Sequence, residues 1–279
     1  MLDRYGRVIN YLRISVTDRC NLRCCYCMPE GVQDVGMKNI LTFEEIWEIV
    51  RTGVSLGITH IRITGGEPLV RKDCVDLIRG IREISGVETI TMTTNGVLLG
   101  NYGKQLKEAG VSMYHENIET SEENFPNVCT THSFEDKIHE IKRIQEAGLE
   151  LCTGGIVGMG ETWKDRLSMA FTLAELGIRS IPINILIPVK GTPFGELEPM
   201  TQEDILRTVA ILRYINPKAD VRIAAGRNYF KDGGGELFLS GVNAALTGNL
   251  LTTGGSSMEQ DRNILEEKGY ILKKKPTEK

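Results

Sequence analysis

Leu12-Arg13-Ile14-Ser15-Val16-Thr17, followed closely by Cys20-Asn21-Leu22-Arg23-Cys24-Cys25-Tyr26-Cys27, orients the rest of the chain. Leu12, Ile14 and Val16 alternate with Arg13, Ser15 and Thr17, the period of a strand with one buried face. The cysteines then occupy the loop at that strand's carboxyl end. Further on, strand-like segments recur at Tyr11–Thr17, His60–Thr64, Thr89–Thr93, Met113–Ile118, Glu150–Gly154, Ser180–Pro188, Asp220–Ala224 and Ala244–Gly248. Helical patterns separate them. Phe43–Val50 has apolar residues at 3–4 spacing behind Thr42 as N-cap and Glu45 as its capping-box partner. Asp136–Ala147 ends before Gly148, and Trp163–Leu176 and Thr201–Tyr214 stop at Gly177 and Pro217.

Eight strands with helices between them predict an α/β fold, a parallel (β/α) TIM-type barrel, with functional residues at the carboxyl ends of its strands. A six-strand open barrel also fits, because the last two strands flank a poor helical pattern around Gly233-Gly234-Gly235. With no repeat or linker, residues 1–279 are expected to form one barrel domain ending in a polar tail, 271–279.

The net charge of −4 argues against nucleic acid or an anionic membrane as partner, since both want clustered positive charge. The basic run Lys273–Lys275 reads as a solvated terminus. No stretch approaches the about 18 apolar residues of a membrane-spanning helix, and the N-terminus has no secretory segment, so a cytoplasmic protein is expected. In a reducing compartment, seven cysteines point to metal or redox chemistry before disulfides.

Cys20, Cys24 and Cys27, spaced C-x3-C-x2-C, can bring three thiolates to one centre. Zinc and iron–sulfur clusters both take thiolates. Structural zinc wants four closed ligands, and no fourth Cys or His lies conveniently near. Three thiolates on a four-iron cluster leave one iron open. A redox disulfide, a structural zinc protein and an iron–sulfur electron carrier are the alternatives. Cys25 is read as a neighbour of the centre, and Cys74 and Cys129 as ordinary thiols. Gly65-Gly66-Glu67-Pro68 follows the second strand, where two glycines permit close backbone approach. Thr93-Thr94-Asn95-Gly96 ends the third, either facing the barrel mouth or as a plain Asn-Gly turn.

The cysteine spacing, with Tyr26 before the last cysteine, resembles the radical S-adenosylmethionine (SAM) superfamily. The resemblance implies a [4Fe–4S] cluster on Cys20, Cys24 and Cys27, whose open iron binds SAM and whose electron releases a 5′-deoxyadenosyl radical. It makes Gly65, Gly66 and Glu67 the holders of the methionyl amino group, and places Tyr26, Pro68, Thr94 and Ile156 around the cofactor. Residues 1–111 resemble GTP 3′,8-cyclase of molybdenum cofactor biosynthesis, through Leu2–Arg7, Tyr11–Met28, Ile40–Glu45, Ile61–Arg71 and Thr93–Leu99. That likeness assigns Arg13 to nucleotide phosphates. Residues 112–270 are similar to biotin synthase, through Tyr114–Ser121, Cys152–Thr162, Ile181–Asn184, Val189–Pro193, Val221–Ala224 and Leu250–Thr253. Asn117 and Glu119 would then hold the cofactor ribose, Asn184 a substrate ureido group, and Cys152 and Arg222 an auxiliary [2Fe–2S] cluster.

The chain therefore reads as a mosaic joined near Lys107–Tyr114. No auxiliary cluster is expected: the cyclase's C-terminal cysteines are missing, and Arg62 and a residue near Thr91 stand where biotin synthase has two further cysteines. The implied function is reductive cleavage of SAM, with sulfur insertion into dethiobiotin as the first substrate reading and GTP cyclisation as the second. A hybrid that cleaves SAM without native turnover is the third. The implied partners are a small-molecule substrate and a flavodoxin or ferredoxin as reductant, with room for a homodimer.

Overall fold

Alternate apolar residues decide which face each strand turns to the helices. In the computed structural model, which describes residues 8–27, 35–246 and 257–270, the strands are β1 (Tyr11–Ser15), β2 (His60–Thr64), β3 (Thr89–Thr93), β4 (Val111–His115), β5 (Glu150–Cys152), β6 (Gly155–Val157), β7 (Ser180–Ile185), β8 (Asp220–Ala225) and β9 (Ala244–Ala245). Between and after them run helices α1 (Phe43–Ser55), α2 (Cys74–Arg82), α3 (Leu99–Glu108), α4 (Phe125–Val128), α5 (Phe134–Glu146), α6 (Trp163–Glu175), α7 (Gln202–Ile215), α8 (Gly235–Leu239) and α9 (Met258–Glu267). Ile14, Ile61, Ile63, Ile90, Met92 and Tyr114 are buried in one apolar cluster with residues of α1, α2 and α3. Ile181, Ile183, Val221 and Ile223 do the same in a second cluster with residues of α6 and α7. The expected caps form: Thr42 and Glu45 close a capping box on α1, and Thr201 caps α7.

All pairings are parallel, in the order β1-β2-β3-β4-β5-β7-β8-β9, with β6 also on β7. Among the described residues β1 and β9 do not pair, so the sheet is a curled, open half-barrel. Its eight strand positions bear out the eight-strand expectation over six, the fifth position being split into β5 and β6. The break falls at Gly154, where a Cβ would come within 1.7 Å of the Pro182 carbonyl oxygen. The backbone still follows its neighbours there, with Thr153 N donating to Ser180 O at 2.9 Å and Ile118 N to Gly154 O at 2.9 Å. The last strand is shorter than expected; its continuation past residue 246, the Leu250–Thr253 match, the Leu2–Arg7 match and the polar tail lie outside the described residues.

Register lines up the opposite, hollow side of the sheet. Arg13 pairs with Arg62 and Arg62 with Thr91. His115 pairs with Cys152, Cys152 with Ser180, and Pro182 with Arg222. A row of polar and cationic side chains thus crosses the inner face.

Candidate active site

The cysteine loop is held at the barrel mouth by backbone contacts from two sides. Gly66 N donates to Thr17 O and Glu67 N to Arg19 O, both at 2.8 Å, so the turn after β2 lies flat on the loop's entry. A Cβ on Gly66 would meet Arg19 O at 2.3 Å, which explains the glycine through protein packing, where sequence reasoning expected ligand approach. From the other side Cys25 N donates to Val128 O at 3.1 Å, fixing the loop to α4.

Glu67 is fully buried, and its carboxylate accepts from Leu69 N (2.9 Å), Asn95 N (2.7 Å) and Thr94 Oγ1. A carboxylate offers about four lone-pair positions, and three protein donors occupy them here. Burial raises its pKa, while the donors from Asn95, Leu69 and Thr94 work the other way. Its side chain ties the turn after β2 to the turn after β3. Thr94 is likewise committed, donating to Glu67 and accepting from Gly96 N at 3.1 Å. Asn95 forms the turn read for it, its Oδ1 accepting from Val97 N at 3.2 Å ahead of Gly96 at φ 87°, and it also reaches the cluster loop. Its Nδ2 lies 3.6 Å from Cys20 Sγ and 2.8 Å from Asn21 Oδ1. Pro68 starts the buried turn that follows Glu67.

The three cysteines are free thiols, Cys20 and Cys24 half-buried and Cys27 exposed. Although the residue as a whole is exposed, protein packed around the Cys27 sulfur strips its hydration and pushes the thiol up to about 11, and neighbouring Cys24 and Cys20 add to the shift. Burial raises Cys20 too, opposed by Leu22 N and Asn95 donating to its sulfur. Cys24 is pulled down, first by a hydrogen bond from Cys129. Three thiolates crowded together repel one another, and bound iron removes that cost because a coordinated thiol is deprotonated outright. Among the described residues no three His, Cys, Asp or Glu side chains gather as around one ion; a four-iron cube spreads its ligands wider. The donor set fits the cluster.

Asn117, Glu119 and Ile156 come together beside this loop. Asn117 Oδ1 is buried without a partner, an acceptor left for a ligand hydroxyl. Glu119 holds φ 66°, strained for a residue with a Cβ. Its Oε2 accepts from Tyr26 OH at 2.9 Å, and its carbonyl from Ile156 N at 2.8 Å. Lys137 on α5 carries no signal in the sequence. Its buried ammonium donates to Asn95 O (2.6 Å) and Glu116 Oε1 (3.1 Å). Burial works against that charge, but Glu116 and Glu119 outweigh it and hold the pKa up.

Deeper in the hollow, Arg222 Nη2 donates to Cys152 Sγ and Ser180 Oγ, both at 2.9 Å, and Ser180 Oγ donates to Cys152 Sγ at 3.2 Å. Arg62 Nε donates to Thr91 Oγ1 at 3.2 Å, and Arg13 Nη2 to Thr64 Oγ1 at 3.2 Å. Asn184 Nδ2 lies 3.5 Å from Gly155 O. His115, unnoticed in the sequence, sits in this row. Burial lowers its pKa to about 4, helped by Arg62, Arg222 and Arg13. One thiol among arginines and hydroxyls is a poor donor set for a second cluster. The row does not fit a [2Fe–2S] group.

The Radical SAM superfamily model matches residues 14–173, and the Biotin and Thiamin Synthesis associated domain model matches 182–271. The chain is 46% identical over 258 residues to "Biotin synthase" of Clostridium beijerinckii, covering 91% of this chain and 82% of that protein. It is 44% identical over 275 residues to "Biotin synthase" of Alkaliphilus metalliredigens, covering 96% and 86%. These matches run across Lys107–Tyr114 into the first 110 residues, and no comparison sets a cyclase segment apart. In fold it resembles methylornithine synthase, at TM-score 0.72 and 19% identity over 96% of this chain and 84% of that one. A hydrogenase maturase, HydG, superposes at TM-score 0.72 and 20% identity, covering 94% and 63%. The cluster loop, the partnerless Asn117 and the curled parallel sheet agree with these matches: the chain is a radical SAM enzyme and belongs to the biotin synthase family.

Proposed function

We propose that this enzyme directs a SAM-derived radical at a small ureido substrate of the dethiobiotin kind, without a resident auxiliary cluster as sulfur donor. The observation that carries the second part is the inner row, where Arg62 and Thr91 bond to each other beside Cys152 and Arg222. The [4Fe–4S] cluster on Cys20, Cys24 and Cys27, when bound, supplies the electron that splits SAM into methionine and the 5′-deoxyadenosyl radical.

This chain's residues bind, orient and shield. Asn117 Oδ1 and Glu119 would take the ribose hydroxyls and the backbone at Ile156 would line the cofactor, a reading supported by the unpartnered buried Asn117 Oδ1 and the Ile156 N bond to Glu119 O. Glu67, Thr94 and Lys137 hold the turns that shape the cofactor's methionyl end. Asn184 faces the hollow, where an amide can pair with a ureido group. Water must be kept from the radical during turnover, because it abstracts hydrogen from whatever lies nearest. A flavodoxin or ferredoxin supplies the electron.

The test is anaerobic turnover of reconstituted protein with SAM, reductant and deuterated dethiobiotin. The expected result is deuterium in 5′-deoxyadenosine and no biotin. Absence of deuterium transfer overturns the substrate reading. Biotin formation overturns the missing sulfur donor.

A further inference from the structure

Cys129 follows α4 and was expected to be an ordinary thiol, but the fold brings it against the cluster loop. It is 2% exposed, in an apolar cluster of Phe125, Val128, Ile156, Met159 and Leu186 against which Cys24 and Tyr26 pack. Its Sγ lies 3.8 Å from Cys24 Sγ, with Cys129 as donor. That separation is nearly twice a disulfide bond and suits an S–H···S hydrogen bond. The placement is built from both sides: Cys25 N donates to Val128 O, and Cys129 N donates to Phe125 O at 2.9 Å. The other two cysteines outside the loop sit elsewhere, Cys74 in the helix-side core and Cys152 in the hollow.

We propose that Cys129 is a positioning residue for the cluster, its thiol donating a hydrogen bond to the ligating Cys24 sulfur and thereby raising the cluster's reduction potential. Hydrogen bonds to ligand sulfurs draw negative charge away from the cluster, and an outer-shell donor also fixes the orientation of the ligand it touches. Cys20 has its own donors, Leu22 N at 3.4 Å and Asn95 Nδ2 at 3.6 Å. Cys129 serves Cys24 in the same way. A higher potential eases the reduction that must precede SAM cleavage, so the effect lies on the first step of turnover. The proposal rests on Cys20, Cys24 and Cys27 being the ligands, which iron content reports separately.

The test is a potentiometric titration of the reconstituted cluster, followed by electron paramagnetic resonance, in the parent, Cys129→Val and Cys129→Ser. Valine fills the apolar site without a donor, and its midpoint potential is expected to fall. Serine restores a donor, and its potential is expected to stay close to the parent's. The reduced parent is also expected to show an exchangeable proton coupling in H2O against D2O that the valine variant lacks. A valine variant with the parent's iron content, potential and coupling overturns the proposal. Should the valine variant take up less iron, the serine variant decides, and a fall in its potential overturns the proposal. A parent protein that takes up no iron overturns both this proposal and the ligand assignment.

Discussion

Thr94 Oγ1 stands 2.9 Å from each carboxylate oxygen of Glu67, joining the turn after the second strand to the turn after the third. Asn95 N and Leu69 N donate to the same carboxylate. In Glu67→Gln an amide NH2 must face a backbone N–H, leaving a buried donor unpaired at a cost of about 1–3 kcal/mol. The variant is expected to melt at lower temperature and to retain less iron, checked by thermal unfolding and iron analysis of the same preparation.

Lys137 and Glu116 form an ion pair in which both side chains are at most 2% exposed. Removing one partner of such a pair leaves an uncompensated buried charge and costs about 3–5 kcal/mol. Lys137→Met is expected to destabilise by that order in denaturant titration. Adding Glu116→Gln to it should recover more than half of the loss.

The hydrogen-bonded Arg62 and Thr91 suggest a gain-of-function experiment. Arg62→Cys with Thr91→Cys puts two thiols in the same inner row as Cys152 and Arg222. Iron per chain after anaerobic reconstitution is expected to rise from about four to about six, the step from one [4Fe–4S] to that plus one [2Fe–2S]. Unchanged iron would show that the row lacks the shape for a second cluster.

His115 links stability to pH. Its folded pKa is depressed from 6.5 to about 4, first by burial and then by Arg62, Arg222 and Arg13. Between those values the unfolded chain binds a proton that the folded chain refuses, so stability falls as pH drops from about 6.5 towards 4. His115→Gln should flatten that slope, read from melting temperature across the window in parent and variant.

Alternation at Leu12, Ile14 and Val16 and the Thr42–Glu45 capping box made the first strand and first helix legible, because both signals are local. The cluster loop was legible for the same reason, its three cysteines lying within eight residues. What escaped depends on contacts made only in the folded chain. Glu67 and Thr94 are 27 residues apart, and Cys129 lies 105 from Cys24. Lys137 stands among helical residues that look like an ordinary amphipathic face. The motif around Glu67 is contiguous, while two of its three donors, Thr94 and Asn95, come from the next strand's turn.

The central claim is that Cys20, Cys24 and Cys27 carry one cluster that cleaves SAM. Its most direct measurement is 5′-deoxyadenosine formed by anaerobically reconstituted, reduced protein, in the parent and in Cys24→Ala, with circular dichroism confirming that the variant is folded. The parent is expected to form 5′-deoxyadenosine and methionine in equal amounts, and the folded variant neither. A parent that forms no 5′-deoxyadenosine, or a Cys24→Ala variant that still forms it, would contradict the claim.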